Sequence, residues 1–217
     1  MARTVEPREL AYFTPELDGT RSRLVWATAT LVHAESYHSV GVKAICDLAE
    51  VRRGSFYHYF ESKEALMLET LEEVWTNFEQ GLAPCRDATL TPRERLEAAV
   101  GYLYEIHAHD KRVSGLVLGC PFGNLAAETT TLDEAIRLRL VRVFEDWALL
   151  LEAPIASAHA WGEIELCDSP HAAARRVLAG LQGLTLFAKV CNDPDVIATG
   201  GRALIDQLWG CEHDHAG

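Results

Sequence analysis

No uninterrupted apolar run of the ~18 residues needed by a membrane-crossing helix occurs in the chain. The opening stretch MARTVEPREL carries charges where a secretory leader would need an apolar core. Neither export nor a membrane partner is expected, and the chain is assigned to the cytoplasm. Cysteines 46, 85, 120, 167, 191 and 211 lack any CxxC spacing, and 217 residues can bury a core without cross-links. Free thiols are expected. A phosphate-binding glycine loop, HExxH, GxSxG and a recognisable Ser/His/Asp trio are also missing, so neither an enzyme nor a cofactor is expected. Positive charge is scarce as well, with 20 Lys/Arg against 32 Asp/Glu and a net charge of −12. That scarcity is uneven, because the first 65 residues carry eight basic against nine acidic groups. A near-neutral N-terminal part with basic clusters, followed by an acidic body, suits a protein that meets nucleic acid at one end only.

What is present is helix. Apolar residues at 48% against 24% charged make an ordinary globular composition, and no alternating strand pattern or Asn-Gly hairpin competes. Leu24, Ala27, Leu31 and Ala34 keep the spacing of one helical face. Short helical patterns follow over 42–49 and 54–60. Ser62 then caps a longer helix in which Met67, Leu71, Val74 and Phe78 repeat. GLAPCRDATLTP breaks the pattern and marks a boundary near 82–92. Thr91 and Glu94 have the spacing of a capping box, with Pro92 at the first position of a helix to about His109. After an interruption at Cys120-Pro121, a long helix is expected over about 132–153. Ser169 caps another, and Asn192-Asp193-Pro194 separates it from the last. The expected fold class is all-α.

The most informative block is GVKAICDLAEVRRGSFYHYFESKEAL, residues 41–66. Its first helix buries Val42, Ile45 and Ala49, and Val51 pins the turn Glu50-Val51-Arg52 to the core. The second helix opens Arg53-Gly54-Ser55, placing free amides and a hydroxyl where a helix attracts phosphate. Phe56 and Phe60, four apart, face inward. Arg53, Ser55, Tyr57 and His58 then face outward, as groups that reach phosphates and base edges. Lys43, Arg52 and Lys63 add cations, and Gly41 and Gly54 leave backbone amides accessible. This is the layout of a helix-turn-helix. A plain helical hairpin with an aromatic core would not require Arg53-Gly54-Ser55 at the helix entry.

From Thr20 to Leu66 the chain resembles the N-terminal domain of the TetR family of transcriptional repressors, whose signature reads like SKGTLYHHFxSKEAL. The resemblance is carried by Phe56-Tyr57-His58-Tyr59-Phe60 followed by Ser62-Lys63-Glu64. Two positions depart from it. Glu50 stands in place of the usual turn glycine, and Gly41 in place of a capping Ser or Thr. The resemblance implies an N-terminal arm and three-helix DNA-binding domain over 1–66. A helical regulatory and dimerisation domain over 67–217 would follow, its first helix the connector. It further implies a homodimer on a palindromic double-stranded operator, a four-helix interface from the last two helices of each subunit, and release by an effector. Independently, Gly180, Gly183 and Ala188 permit close helix approach, while Val177, Leu181, Leu184, Leu204 and Leu208 supply an apolar stripe. Such a stripe serves equally well as intramolecular core.

SGLVLGCPFGNLAAE, residues 114–128, together with GSFYHYF, Glu50 and Ala188-Lys189-Val190, is similar to one subgroup of that family. This subgroup includes the N-ethylmaleimide-responsive, electrophile-sensing repressors. By resemblance Cys120 is the sensing thiol. Lys189 nearby would lower its pKa, and Cys191 could resolve a sulfenate. Two alternatives stay open on the residues. One is an inert buried Cys120 with a non-covalent pocket for an apolar small molecule, lined by Phe122, Trp147, Trp161 and Phe187. The other is a metal effector at Cys211, His213 and His215 in the tail, or at His107 and His109, since Cys/His tracts bind zinc or copper.

Overall fold

The computed structural model describes residues 10–210. Over them the chain forms helices α1 (Thr20–Ala34), α2 (Val42–Leu48), α3 (Arg53–Tyr59), α4 (Lys63–Gly81), α5 (Pro92–Ser114), α6 (Pro121–Thr129), α7 (Glu134–Ala160), α8 (Pro170–Cys191) and α9 (Asp195–Leu208). A 3-10 turn at Ala83–Arg86 lies between α4 and α5. One isolated bridge, Leu10 to Phe13, is the sole strand-like pairing among the described residues.

Several helix starts follow from side chains that satisfy free amides. Ser62 Oγ accepts from the Ala65 amide at 3.0 Å, and Ser169 Oγ from the Ala172 amide at 3.2 Å. Thr91 and Glu94 close the expected capping box ahead of Pro92. Two boundaries differ from expectation. Helix α5 continues to Ser114, where Gly115 takes a left-handed φ of 76°. Helix α7 runs seven residues past Ala153, straight through Pro154. A proline removes one amide donor, but Pro154, Ile155 and Ala158 are all buried on the inner face. Their packing carries the helix on.

Helices α1, α2 and α3 pack together, and α4 lies along both α1 and α7. Helix α8 sits between α7 and α9, while α5 packs on α7 and α9. The centre is aromatic. Phe78 of α4 meets Trp147 of α7 at 4.9 Å between ring centroids and Phe122 of α6 at 5.3 Å. Tyr12, from the arm before α1, is buried against His33 of α1 and Phe78. At the turn after α2, Glu50 adopts φ 53°, which costs a non-glycine residue about 1 kcal/mol. The Val51 amide closes that turn on the Cys46 carbonyl at 2.9 Å.

Candidate functional site

The α2–α3 pair presents one polar face. Phe56 and Phe60 are buried at 0% and 4% exposure, as their spacing requires. Gly41, Lys43, Arg52, Arg53, Gly54, Tyr57 and His58 are exposed, and Ser55 is half-buried. Tyr59, also exposed, joins this surface although the periodicity did not single it out. Lys43 is held by an i,i+4 pair to Asp47 at 2.7 Å, a surface contact that a phosphate can replace. Lys63 behaves differently from the expected free phosphate contact. Its Nζ donates to the Tyr37 and Val40 carbonyls at 2.7 and 3.0 Å and lies over the Tyr37 ring. Two of its three donors are thus spent on fastening the α1–α2 loop to α4. Arg21 is a second fastener: it pairs with Glu69 of α4 and sits 4.7 Å over the Phe60 ring.

Cys120 caps α6. Its sulfur accepts from the Gly123 amide at 3.3 Å, and the residue is 5% exposed. Burial pushes the thiol above its ordinary pKa, against a smaller opposing effect from the Gly123 amide and the Gln182 side chain. Lys189 is close but does not act on the thiol as expected, because its Nζ donates to Asn124 Oδ1 at 3.2 Å. Gly119 explains the close approach. It takes φ 84°, and a Cβ there would meet the Lys189 side chain at 3.0 Å. Cys191 is exposed, and two residues beyond Lys189 the helix has turned by about 200°. It therefore lies away from the helix face that carries Lys189.

Helix α6 is fastened to the α2–α3 end of the molecule at both of its ends. His33 of α1 donates from Nε2 to the Gly119 carbonyl at 2.8 Å, and its Nδ1 shares a hydrogen bond with the Tyr12 hydroxyl at 2.8 Å. At the other end the Glu128 carboxylate accepts the Tyr37 amide at 2.8 Å, and His38 Nε2 donates to the Glu128 carbonyl at 3.3 Å. None of these partners was legible from spacing.

Two cavities flank α6 and α8. One, of about 210 Å³, is lined by Gly119, Cys120, Gly123, Asn124, Gln182 and Leu186 among others. The other, of about 320 Å³, lies between α6, α7 and α8, and Gln182 lines both. The expected aromatic pocket does not form as a unit. Phe122 and Trp147 are both fully buried in the central cluster, whereas Trp161 and Phe187 are 60% and 63% exposed. On α8, Leu181, Thr185 and Ala188 take the inward face, which turns Phe187 outward with Leu186 and Val190.

Part of the stripe expected at a dimer surface is packed within one chain. Val177, Leu181 and Ala188 are buried within one chain. Leu204 packs on Gly180, and Leu184 on Gly200, so α8 and α9 join each other there. Leu208 is partly buried against the same core. The apolar surface left outward on α8 is Leu186, Phe187 and Val190, beside Gly183, whose missing side chain borders open space. Cys211, His213 and His215 lie outside the described residues. His107 is buried with Nδ1 on the Leu103 carbonyl at 2.7 Å. No three His, Cys, Asp or Glu among the described residues stand together as a metal site, and no described helix is long and apolar enough to cross a membrane.

Residues 24–70 match the model of the bacterial regulatory proteins of the tetR family, and residues 92–204 match the tetracyclin repressor-like C-terminal domain. The transcriptional regulator AcuR of Cereibacter sphaeroides is 32% identical over 182 residues, 83% of this chain and 81% of that protein. The HTH-type transcriptional repressor NemR of Escherichia coli K12 is 27% identical over 172 residues, 79% of this chain and 84% of that one. Among solved structures, the TetR regulatory protein of Rhodobacter sphaeroides superposes with a TM-score of 0.77 at 31% identity, covering 87% of this chain and 98% of its own.

Proposed function

The chain belongs to the TetR family of DNA-binding transcriptional regulators, and from that premise we propose that it is a homodimeric repressor of a palindromic operator. Release follows when an effector acts beside Cys120. The α2–α3 face, with Arg52, Arg53, Ser55, Tyr57 and His58 outward, contacts the phosphates and base edges of each half-site. Two-fold symmetry of the protein requires two-fold symmetry of the site. The outward Leu186, Phe187 and Val190 of α8 form the apolar part of the subunit interface. Repression is carried over from relatives such as NemR, whose name states it.

The observation that carries the effector reading is the double fastening of α6 around the thiol. Cys120 is its N-cap, Gly119 holds His33 of α1, and Glu128 holds the chain just after α1. An electron-poor alkene entering the 210 Å³ cavity would form a bond from sulfur to its β-carbon, the thiol proton ending on the α-carbon with no leaving group. The added bulk cannot share the cap position with the Gly123 amide, so α6 shifts and both fastenings to the DNA-binding helices shift with it. Release requires a differential affinity of only about 1–3 kcal/mol between the two states.

Non-covalent occupancy of the same region is the second reading, favoured by the larger cavity that adjoins the first. Cys120→Ser separates the two. Serine keeps the helix cap, so the variant binds operator normally. On the covalent reading it no longer dissociates with N-ethylmaleimide, whereas Cys167→Ser and Cys191→Ser, which remove exposed thiols, respond as wild type. A Cys120→Ser protein that releases DNA as readily as wild type refutes the covalent reading.

A further inference from the structure

The larger cavity has a composition that names a ligand class. Its floor is apolar: Leu140, Val141 and Phe144 from α7 and Leu178 from α8. Two guanidinium groups line it, Arg137 and Arg175. Arg137 is satisfied on one side by Glu134 at 2.6 and 2.7 Å. Arg175, exposed on α8, has no hydrogen-bond or ion-pair partner among the described residues. The carboxylate that shares the cavity, Glu145, is engaged by His171 Nε2 at 2.9 Å, while His171 Nδ1 holds Glu152 at 2.8 Å. Thr130, whose hydroxyl donates to the Ala126 carbonyl at 2.9 Å, and Gln182, whose Nε2 is shut off from solvent, complete the polar lining.

We infer that this cavity binds an amphipathic anion. A medium-length apolar chain lies over Leu140, Val141, Phe144 and Leu178, and its carboxylate is held by Arg175 with help from Arg137. About 320 Å³ is the lower end of the range for small-molecule sites, so one short acyl chain fills it. An apolar floor alone would accept any hydrophobic molecule; the two guanidiniums select the charged one, through charge-assisted hydrogen bonds. This inference rests on the reading that the effector acts between α6 and α8, and it deepens that reading by naming the ligand's charge and shape. Gln182, common to both cavities, puts the ligand next to the wall of the thiol site.

Octanoate and 1-octanol have the same chain length and differ in charge. Calorimetric titration of each into the full-length protein, without DNA, is the test. Octanoate is expected to bind about tenfold more tightly than octanol, the difference worth one good ionic hydrogen bond. Arg175→Ala, a change at an exposed residue, brings the two ligands to within about twofold of each other, and Arg137→Ala reduces the preference part-way. Equal binding of octanoate and octanol to wild type overturns the inference. So does a preference that survives in both arginine variants, which would place the anion elsewhere. Cys120→Ser distinguishes the two levels. Retained octanoate preference, together with retained release of operator by N-ethylmaleimide, sinks the thiol reading while leaving the anion site standing.

Discussion

Glu128 offers the cleanest way to ask whether α6 transmits the effector signal. Its carboxylate accepts the Tyr37 amide at 2.8 Å across 91 residues of chain, tying the far end of α6 to the loop that follows α1. A hydrogen bond to an ionised acceptor contributes about 1.5–3 kcal/mol when dry, and about 1 kcal/mol is reasonable for this half-buried pair. Suppose an effector coupling of about 2 kcal/mol passes equally through the two fastenings of α6. Wild type then loses about thirtyfold in operator affinity on treatment, and Glu128→Ala about fivefold. Fluorescence anisotropy of labelled operator, titrated with and without N-ethylmaleimide, measures that ratio. Untreated Glu128→Ala should bind operator within about threefold of wild type, since its DNA-facing residues are intact. Glu128→Gln keeps an oxygen acceptor for the Tyr37 amide and should restore most of the response. A Glu128→Ala protein with the wild-type ratio refutes transmission through this contact, as does a Glu128→Gln protein that fails to recover.

Three further outcomes are expected. Glu50→Gly relieves a left-handed φ of 53°; against the extra freedom glycine has when unfolded, stability in urea should stay level or rise by up to about 1 kcal/mol, whereas Glu50→Val should lose about 1–2 kcal/mol. Phe187→Asp, at an exposed position on α8, should leave a folded monomer by light scattering with operator affinity lost; a dimer of unchanged affinity would remove α8's outward face from the interface. Because burial pushes the Cys120 thiol above its ordinary pKa, the thiolate is scarce at neutral pH. Alkylation of Cys120 should therefore still be accelerating with pH above neutrality, and a plateau near pH 7 would contradict the burial.

The helical class, most caps and the buried face of the helix-turn-helix were legible because they depend on local spacing. Ser62, Thr91 and Ser169 cap the helices they precede, and Phe56 and Phe60 are buried four apart because α3 has only one inner face. Long-range pairings were not legible. Lys63 resembles a phosphate contact in sequence, yet the Tyr37 and Val40 carbonyls it meets are brought to it by the path of the loop after α1. Lys189 was expected to act on Cys120, but its partner is Asn124, since left-handed Gly119 lets the lysine stem pass beside the loop. The apolar stripe of α8 could not reveal which side would be covered by α7 and α9 of the same chain. Phe187 and Trp161, grouped with Phe122 and Trp147 on aromatic character alone, ended on the surface.

Whether the α2–α3 face reads a two-fold site is decided by selection of bound fragments from genomic DNA followed by footprinting. One recurring palindrome is expected, with half-sites about one helical turn apart. Affinity for it should fall steeply with salt and be lost in Arg53→Ala and Tyr57→Ala while the dimer persists. Fragments with no common sequence, or a palindrome that both variants bind as wild type does, would contradict that expectation.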